Sequence, residues 1–319
     1  MSCNIRPPVS AFLGTTPLIV TIGIFLLSWD KKTENDEKNQ KYWPQVVPGG
    51  GGRAETRRES TLTESLPLSD LPPLADVHCH LGENLARELH LAKGGSVRAV
   101  VLTAARAEEF GEIASFCAAD TRPRLIPAFG VHPWYALSAP ENIEALLDRM
   151  FDAVSGGALL GEIGLDFARP KEEHTAQRAL FRRQLAYAAR RKAAAVIHSV
   201  RSAEEVIAEV KKPRHRPVFL LHSPRASADQ VRRLAELGGY FSFSAHALAP
   251  PRKRMRAAAA AVPDDRLLIE SDWPSGGDSP ADIADALIPL AELRGIPAGE
   301  LARRVWENSR RFFAAAGVS

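Results

Sequence analysis

Residues 158–166 read ALLGEIGLD, a short apolar run that carries two carboxylates near its end, Glu162 and Asp166. A run of this length, rich in aliphatic residues, predicts a strand that is buried on both faces, as in a parallel sheet. Seven further runs have the same character: residues 75–80, 97–103, 125–133, 194–200, 217–223, 239–245 and 267–273. The sequence therefore predicts eight buried strands.

Stretches of helical periodicity, rich in Ala and Arg, separate several of these runs. They cover residues 141–155, 174–192, 226–237 and 281–294. Strands that alternate with helices predict βαβ units and a parallel sheet. Eight such units fit the length of one (β/α)8 TIM barrel, about 250 residues. The fold class is therefore α/β, with an open doubly wound sheet as the alternative to the barrel.

The composition is that of a globular protein. Of the 319 residues, 45% are hydrophobic and 25% are charged, which excludes a mainly disordered chain. A net charge of +3 is too small to single out nucleic acid or an anionic membrane as the partner. The cysteines, Cys3, Cys79 and Cys117, include no C-x-x-C pair, so neither a disulfide framework nor a thiolate zinc site is indicated.

The N-terminal region differs from the rest of the chain. Residues 9–29 are uncharged and apolar, and about 20 such residues suffice to cross a bilayer as a helix. Four lysines follow within residues 31–41 and one arginine precedes, so the positive-inside rule predicts an uncleaved anchor that leaves the catalytic domain cytoplasmic, at the inner face of the membrane. A cleaved signal peptide and a start codon downstream of this segment are the alternatives.

A polar stretch rich in Gly and Pro follows the hydrophobic segment and predicts a flexible, disordered tether. The predicted organisation therefore has three parts. Residues 1–30 form the hydrophobic segment, residues 31–73 form the linker, and residues 74–319 form the barrel.

Side chains of the metal-ligand type lie toward the C-terminal ends of the predicted strands. They are His78, His80, Glu162, His198, His222 and Asp272. In a TIM barrel these strand ends converge on one mouth. The spacing of His78 and His80 places both imidazoles on one side of the first strand. Nitrogen and oxygen donors in this number suit two adjacent divalent metal ions, such as Mg, Mn or Zn.

Taken singly, each of these residues also has a structural explanation. A lone histidine on an apolar strand, such as His198, is more often a hydrogen-bonded core residue than a ligand. For the whole set the metal interpretation is favoured, because burying several titratable groups in one lumen costs several kcal/mol unless they share a cation. The remaining histidines are expected on the surface or on helices: His90, His174, His215 and His246.

Several motifs occur in the chain in a fixed order. They are DVHCHLG (76–82), GVHPWY (130–135), GEIGLDF (161–167), VIHSV (196–200), LLHS (220–223), LLIESDWP (267–274) and NSRRFF (308–313). In this combination the sequence resembles the TatD family of metal-dependent deoxyribonucleases, within the amidohydrolase superfamily. The resemblance covers about residues 74–319.

The resemblance implies a role for each ligand-type residue. One metal would be held by His78, His80, Glu162 and Asp272, and the second by Glu162, His198 and His222. It further implies that His132 contacts the substrate and that Asp166 orients a ligating histidine from behind.

The chain departs from the family pattern beside the ligands. Val200 stands where the family usually has arginine, with Arg201 next, and Ser223-Pro224-Arg225 replaces the usual residues after His222. The ligands are thus kept while their substrate-facing neighbours differ.

Cations are expected around the mouth, because phosphate groups require them. Arg201 and Arg225 follow strands directly and are predicted, with His132, to bind the substrate. Arg169 and Lys171 follow another strand.

The basic cluster Arg252–Arg256 begins a predicted helix, where cations oppose the helix dipole. A substrate phosphate or a solvated basic face would each explain it. The aromatic residues Trp134, Tyr135 and Trp273 border the same mouth and are expected either to stack on bases or to pack against the barrel.

Together these observations predict a two-metal hydrolase. Glu162 and Asp272 are the catalytic residues, and Asp272 accepts the proton of a metal-activated water that attacks a phosphodiester bond. The expected substrate is DNA, cut at single-stranded ends as by a 3'-5' exonuclease. One alternative is a hydrolase of the same superfamily that acts on an ester, lactone, amide or aminoacyl-tRNA. The other is a membrane-tethered binding protein without turnover.

Overall fold

Eight parallel strands alternate with helices in the computed structural model, which describes residues 71–276 and 278–318. The strands are β1 (Leu74–His80), β2 (Val97–Thr103), β3 (Arg124–Ala128), β4 (Leu160–Asp166), β5 (Ala195–Val200), β6 (Phe219–His222), β7 (Gly239–Phe243) and β8 (Leu267–Ile269). The α-helices are α1 (Leu85–Ala92), α2 (Phe110–Cys117), α3 (Ile143–Ala153), α4 (His174–Arg191), α5 (Ala203–Val210), α6 (Ala228–Glu236), α7 (Lys253–Ala261), α8 (Leu287–Arg294) and α9 (Ala298–Ala315).

Backbone hydrogen bonds close the strands into a barrel. The ladders run β1-β2-β3 and β4-β5-β6-β7-β8. Between β3 and β4, Phe129 N donates to Leu159 O at 3.0 Å, and Gly161 N donates to Phe129 O at 3.0 Å. Between β8 and β1, Asp272 N donates to His78 O at 3.0 Å. The fold is therefore the predicted (β/α)8 TIM barrel, and the open doubly wound sheet is excluded.

Two predicted strands are too long. In the run at residues 125–133 the regular strand ends at Ala128. Phe129 still bonds to the backbone beside β4, but Val131 N and Val131 O bond instead to the side-chain amide of Gln184 on α4, at 2.9 and 3.0 Å. In the run at residues 267–273 the regular strand ends at Ile269. Asp272 N still bonds to the backbone of β1, but Ser271 N donates to the Asp76 carboxylate at 3.0 Å. These backbone groups are satisfied by side chains, a pattern that hydrophobic periodicity does not reveal.

The other predicted elements agree with the structure to within two residues at either end, as is usual for element boundaries. The predicted helix over residues 281–294 is the exception, because it begins as a 3-10 helix, Pro280–Ala286, and becomes α-helical only at Leu287.

The side chains that point into the barrel form two layers. The lower layer, at the N-terminal ends of the strands, is apolar, and α9 covers it from below with Phe312 and Phe313. Its residues on or directly before the strands include Ala75, Val77, Ala99, Val101, Ile126, Leu159, Val196, Leu220, Tyr240 and Leu268. The upper layer, at the C-terminal ends, contains the histidines and carboxylates singled out above, and it positions the candidate site.

An irregularity in β1 decides which of its residues face the upper layer. The pairing of β1 with β2 shifts register between Asp76 and Cys79. Val77 packs in the lower layer, yet Cys79, two residues on, packs in the shell between strands and helices. A β-bulge re-aims the side chains that follow it, and here it turns His78 and His80 inward.

The described residues begin after the predicted hydrophobic segment at 1–30 and reach only the last three residues of the predicted linker. The division of the chain into these parts therefore stays a prediction. Among residues 71–276 and 278–318, no helix combines the length and the apolar character needed to cross a membrane.

Candidate metal centre

Glu162 occupies the centre of the upper layer, 2% exposed on β4. Its Oε1 atom lies 2.8 Å from His198 Nδ1 and 2.8 Å from His222 Nε2. Its Oε2 atom lies 3.1 Å from His80 Nε2 and 3.6 Å from His78 Nε2. The two oxygens of one carboxylate thus face two different pairs of imidazoles.

Asp272 joins this cluster from the loop after β8. Its Oδ1 atom lies 3.8 Å from His78 Nε2, and the rings of His78 and His222 stack with their centroids 4.0 Å apart. All six predicted ligand residues therefore meet in one place. Donor atoms within 4.8 Å of one another form three groups, namely His78 with His80 and Glu162, His78 with His222 and Asp272, and His132 with Glu162 and His198.

These groups differ in detail from the ligand sets that the family resemblance implies. Asp272 groups with His78 and His222 rather than with His80, and His132 is close enough to be a ligand, with its Nε2 atom 3.6 Å from Glu162 Oε1. The assignment of each residue to one metal or the other therefore remains a proposal.

The donor set fits a divalent cation. Neither ring nitrogen of His78 has a hydrogen-bond partner among the described residues, and the same holds for His222 Nδ1. Buried polar atoms without a partner cost roughly 1–3 kcal/mol each, and a cation coordinated by these nitrogens would supply the missing interaction. Imidazole and carboxylate donors together suit zinc, manganese and related ions.

The charges in the cluster depend on one another. Burial by itself raises the pKa of Glu162, but the adjacent imidazoles, His222 foremost, hold that pKa well below its usual value. Burial lowers the pKa of His222, yet the Glu162 carboxylate outweighs burial and raises it to about 10. Burial lowers the pKa of His78, and the neighbouring His222 lowers it further. Without a cation the site therefore combines an ionised Glu162 and a neutral His78, both in forms that bind metals, with a protonated His222, which must release its proton before it can bind a metal.

Asp166 supports this centre from the end of β4. Its Oδ2 atom accepts a hydrogen bond from Trp134 Nε1 at 2.7 Å and lies 3.4 Å from His198 Nε2. Burial opposes its ionisation, but the interaction with His198 outweighs burial and lowers the pKa of Asp166 to about 2. Asp166 thus lies where it can fix the ring of His198. Because the indole N–H of Trp134 donates to this carboxylate, Trp134 helps to hold Asp166 in place.

Two buried carboxylates of the site were not predicted from the sequence. Glu270 is fully buried, and its Oε1 atom accepts hydrogen bonds from Ser223 N and Ser223 Oγ at 3.0 and 2.6 Å. Asp76 is also fully buried and accepts from Ser271 N at 3.0 Å and Ser271 Oγ at 2.6 Å. Burial raises the pKa of each to about 7. Asp76 lies two residues before His78, and Glu270 lies two residues before Asp272. This spacing, typical of neighbours on one face of a strand, is the sequence signal that could have identified both carboxylates.

The backbone is strained where the strands reach the site. Arg201, Ser223 and Asp272 have φ angles of 54°, 35° and 53°. The left-handed region costs a residue with a side chain roughly 1–2 kcal/mol. Such strain persists where the surroundings fix it, often at functional sites.

The predicted substrate-side cations fall into two kinds. Arg169 is held by Glu173, with a nitrogen to oxygen distance of 2.9 Å. Arg201 and Arg225 are exposed and line cavities beside the cluster. Of the histidines outside the pattern, His90, His215 and His246 are exposed and His174 begins α4, in agreement with the prediction.

Imidazoles and carboxylates collected at the mouth of a TIM barrel suit a metal-dependent hydrolase, the class to which the family and the relatives of this chain point. The chain belongs to the TatD family, because the family model described as TatD related DNase matches residues 75–314.

Among its relatives is the uncharacterized metal-dependent hydrolase YabD of Bacillus subtilis, 27% identical over 260 residues, which are 75% of this chain and 98% of YabD. Another is the 3'-5' ssDNA/RNA exonuclease TatD of Erwinia tasmaniensis, 29% identical over 199 residues, which are 58% of this chain and 76% of that protein. The crystal structure of the TatD homologue YjjV from Escherichia coli matches with a TM-score of 0.69 at 26% identity and covers 76% of this chain and 98% of YjjV.

Proposed function

We propose that this chain is a two-metal deoxyribonuclease that hydrolyses phosphodiester bonds at single-stranded DNA ends, in the 3'-5' direction. The observation that carries the proposal is the position of Glu162, whose two carboxylate oxygens face separate imidazole pairs, His198 with His222 and His78 with His80. One carboxylate between two such pairs is suited to two adjacent cations. The matching family description and the Erwinia relative support the choice of a nucleic acid substrate.

Two divalent ions, Mg, Mn or Zn, would be held by the six predicted ligands. When bound, such ions lower the pKa of water toward neutrality and polarise the phosphoryl group under attack. As the family resemblance implies, His78, His80, Glu162 and Asp272 would hold the first ion, and Glu162, His198 and His222 would hold the second.

The side chains around the metals carry the remaining steps. Asp272, at the open end of the cluster with its side chain 20% exposed, accepts the proton of the attacking water. His132 and the guanidinium groups of Arg201 and Arg225 bind the phosphate backbone. Asp166 keeps His198 oriented throughout the cycle.

A second candidate is a hydrolase of the same superfamily with a carboxylic ester, lactone, amide or aminoacyl-tRNA as substrate. The departures at Val200 and at Ser223 to Arg225 favour it, because they change the residues next to the ligands without changing the ligands. The membrane-tethered binding protein is less favoured, since every ligand position holds a competent donor.

The test uses the full-length chain, stripped of metal and then supplied with Mg, Mn or Zn. The substrates are end-labelled single-stranded DNA, a carboxylic ester and a lactone. We expect metal-dependent shortening of the DNA from its 3' end. Glu162→Ala and Asp272→Asn should abolish shortening, whereas Glu307→Ala, an exposed change on α9, should not. Intact DNA with turnover of the ester or lactone would favour the second candidate instead.

The proposed anchor at residues 9–29 has a separate test. The full-length chain should sediment with membranes, and a chain that begins at residue 71 should not. Equal behaviour of the two chains would refute the anchor and leave the nuclease proposal untouched.

A further inference from the structure

Two adjoining cavities of about 310 and 320 Å³ open beside the metal centre. Three arginines line both: Arg201 after β5, Arg225 after β6 and Arg254 in the first turn of α7. The cavities also include Phe167 and Ala168, which directly follow Asp166. A ligand in these cavities would therefore lie next to the cluster, on the side of His198 and Asp166.

The three arginines carry charge that the protein itself does not neutralise. None of them makes an ion pair or a side-chain hydrogen bond within the part of the chain that the structure describes. Two carboxylates on the same wall are already paired elsewhere, Glu204 with Arg233 at 2.8 Å and Glu205 with Arg178 at 2.6 Å. The cavities therefore have an excess of positive charge.

This arrangement costs free energy in the absence of a ligand. Arg254 and Lys253 stand at the start of α7, whose first turn contains no acidic residue, and cations there oppose the helix dipole by roughly 0.3–1 kcal/mol each. Arg201 adds the strain of a φ angle of 54°. A bound anion would offset the cost at the helix start.

We propose that Arg201, Arg225 and Arg254 form a subsite for a phosphodiester group of the substrate strand that neighbours the one being cut. This inference rests on the proposed nuclease function. The guanidinium forks match phosphate oxygens in pairs, and three of them surround a space at the lower end of the size range of ligand pockets, roughly 300 Å³. The substrate class is thus an oligonucleotide with at least two phosphates, rather than a mononucleotide or a simple phosphate ester.

Binding is measured first, with the metal-free full-length chain and a fluorescently labelled oligothymidylate, across a series of salt concentrations. Metal-free protein reports on binding alone, because no cleavage intervenes. The variants are Arg254→Gln and Arg225→Gln. The matched control is Arg310→Gln, an exposed arginine on α9, whose Asn308 contacts Leu267 at the opposite end of the barrel.

Each subsite variant should bind the oligonucleotide roughly tenfold more weakly. The slope of log affinity against log salt should become shallower by about 0.7 for each phosphate that the variant no longer neutralises. The Arg310→Gln control should match the wild type in both quantities. Subsite variants that behave like this control would overturn the proposal.

Turnover by the metal-loaded chain separates the subsite from the nuclease function. The kcat/KM of Arg254→Gln should fall about tenfold more on an oligonucleotide than on a single-phosphate diester, mainly through KM. A wild-type chain that binds DNA through these arginines but never cuts it would retain the subsite and refute the nuclease. If the wild-type chain cuts DNA and the Arg254→Gln variant cuts it equally well, the nuclease function is retained and the subsite is refuted.

Discussion

The two layers inside the barrel share one scaffold and differ in what fills it. In the lower layer, inward positions such as Val101, Leu220 and Leu268 are apolar and fully buried. In the upper layer, farther along the strands, the inward positions are Glu162 and His222. The lower layer gains from the removal of apolar surface from water. The upper layer buries charged and polar groups that compensate one another only in part, and it leaves both ring nitrogens of His78 without a partner among the described residues. Stability and chemistry are thus separated along the barrel axis, as in other TIM barrels.

The strongest contrast between the layers is expected from Glu162→Ala. Removing the carboxylate that faces both imidazole pairs should lower metal-dependent hydrolysis at least about 10³-fold, since the loss of a single charge-stabilising group already costs roughly 10²–10³. The midpoint of thermal unfolding of the metal-free chain should fall as well, because the low pKa of Glu162 means that its ionised form stabilises the fold, and its removal leaves the adjacent imidazoles without their carboxylate. Hydrolysis rates and unfolding curves measure the two effects. Retained hydrolysis would show that the upper layer is not the reaction centre.

The converse change is Leu268→Ala in the lower layer. Leu268 is fully buried, and the cavity left by the substitution should lower the free energy of unfolding by about 2–5 kcal/mol. The kcat of the folded fraction should change little. Denaturant unfolding provides the measurement, and Leu137→Ala, with 73% of its surface exposed, is the control. A large loss of kcat at unchanged stability would erase the distinction between the layers.

Metal addition should act through the upper layer alone. An ion that binds only the folded chain stabilises it by about 2.7 kcal/mol at a concentration of about 100 times its Kd. Titrating Mn or Zn into the stripped chain should therefore raise the unfolding midpoint of the wild type and of Leu268→Ala by similar free energies. The same titration should leave the midpoint of Glu162→Ala nearly unmoved, and an equal shift in that variant would contradict the account.

The smallest effect is expected from Asp166→Asn, which keeps the shape of the side chain but removes its charge behind His198. Partners of this kind typically contribute roughly 10–100-fold to metal affinity. Isothermal titration should show a loss in that range, with hydrolysis partly restored at high metal concentration. Asp120→Asn, an exposed change, should have no effect. A variant of Asp166 that binds metal like the wild type would limit Asp166 to a structural role.

Much of this architecture can be predicted from the sequence, for a physical reason. Along each strand, successive side chains face in turn the surrounding helices and the barrel interior. A histidine near the C-terminal end of an apolar run, such as His198 or His222, therefore indicates which end of that strand carries the site. The ligand-type residues stand out because polar groups at the ends of apolar runs are otherwise costly. The spacing argument for His78 and His80 is correct, although the β1 irregularity sets which face they share.

The rest depends on contacts between distant parts of the chain. Glu270 lies beside His222 only because Ser223, from another strand, donates to it. The Trp134 indole N–H donates to the carboxylate of Asp166, which lies 32 residues away in the chain. Arg254 joins Arg201 and Arg225 only once α7 has packed against α6. No local pattern encodes these distances.

The central claim is that Glu162 stands between two cation sites in the upper layer. The most direct test is the number of ions bound per chain, measured by isothermal titration of Mn into the metal-free full-length protein and checked by elemental analysis. The account predicts two ions per chain in the wild type and a loss of binding in Glu162→Ala. One ion or none in the wild type, or undiminished binding by the variant, would contradict it.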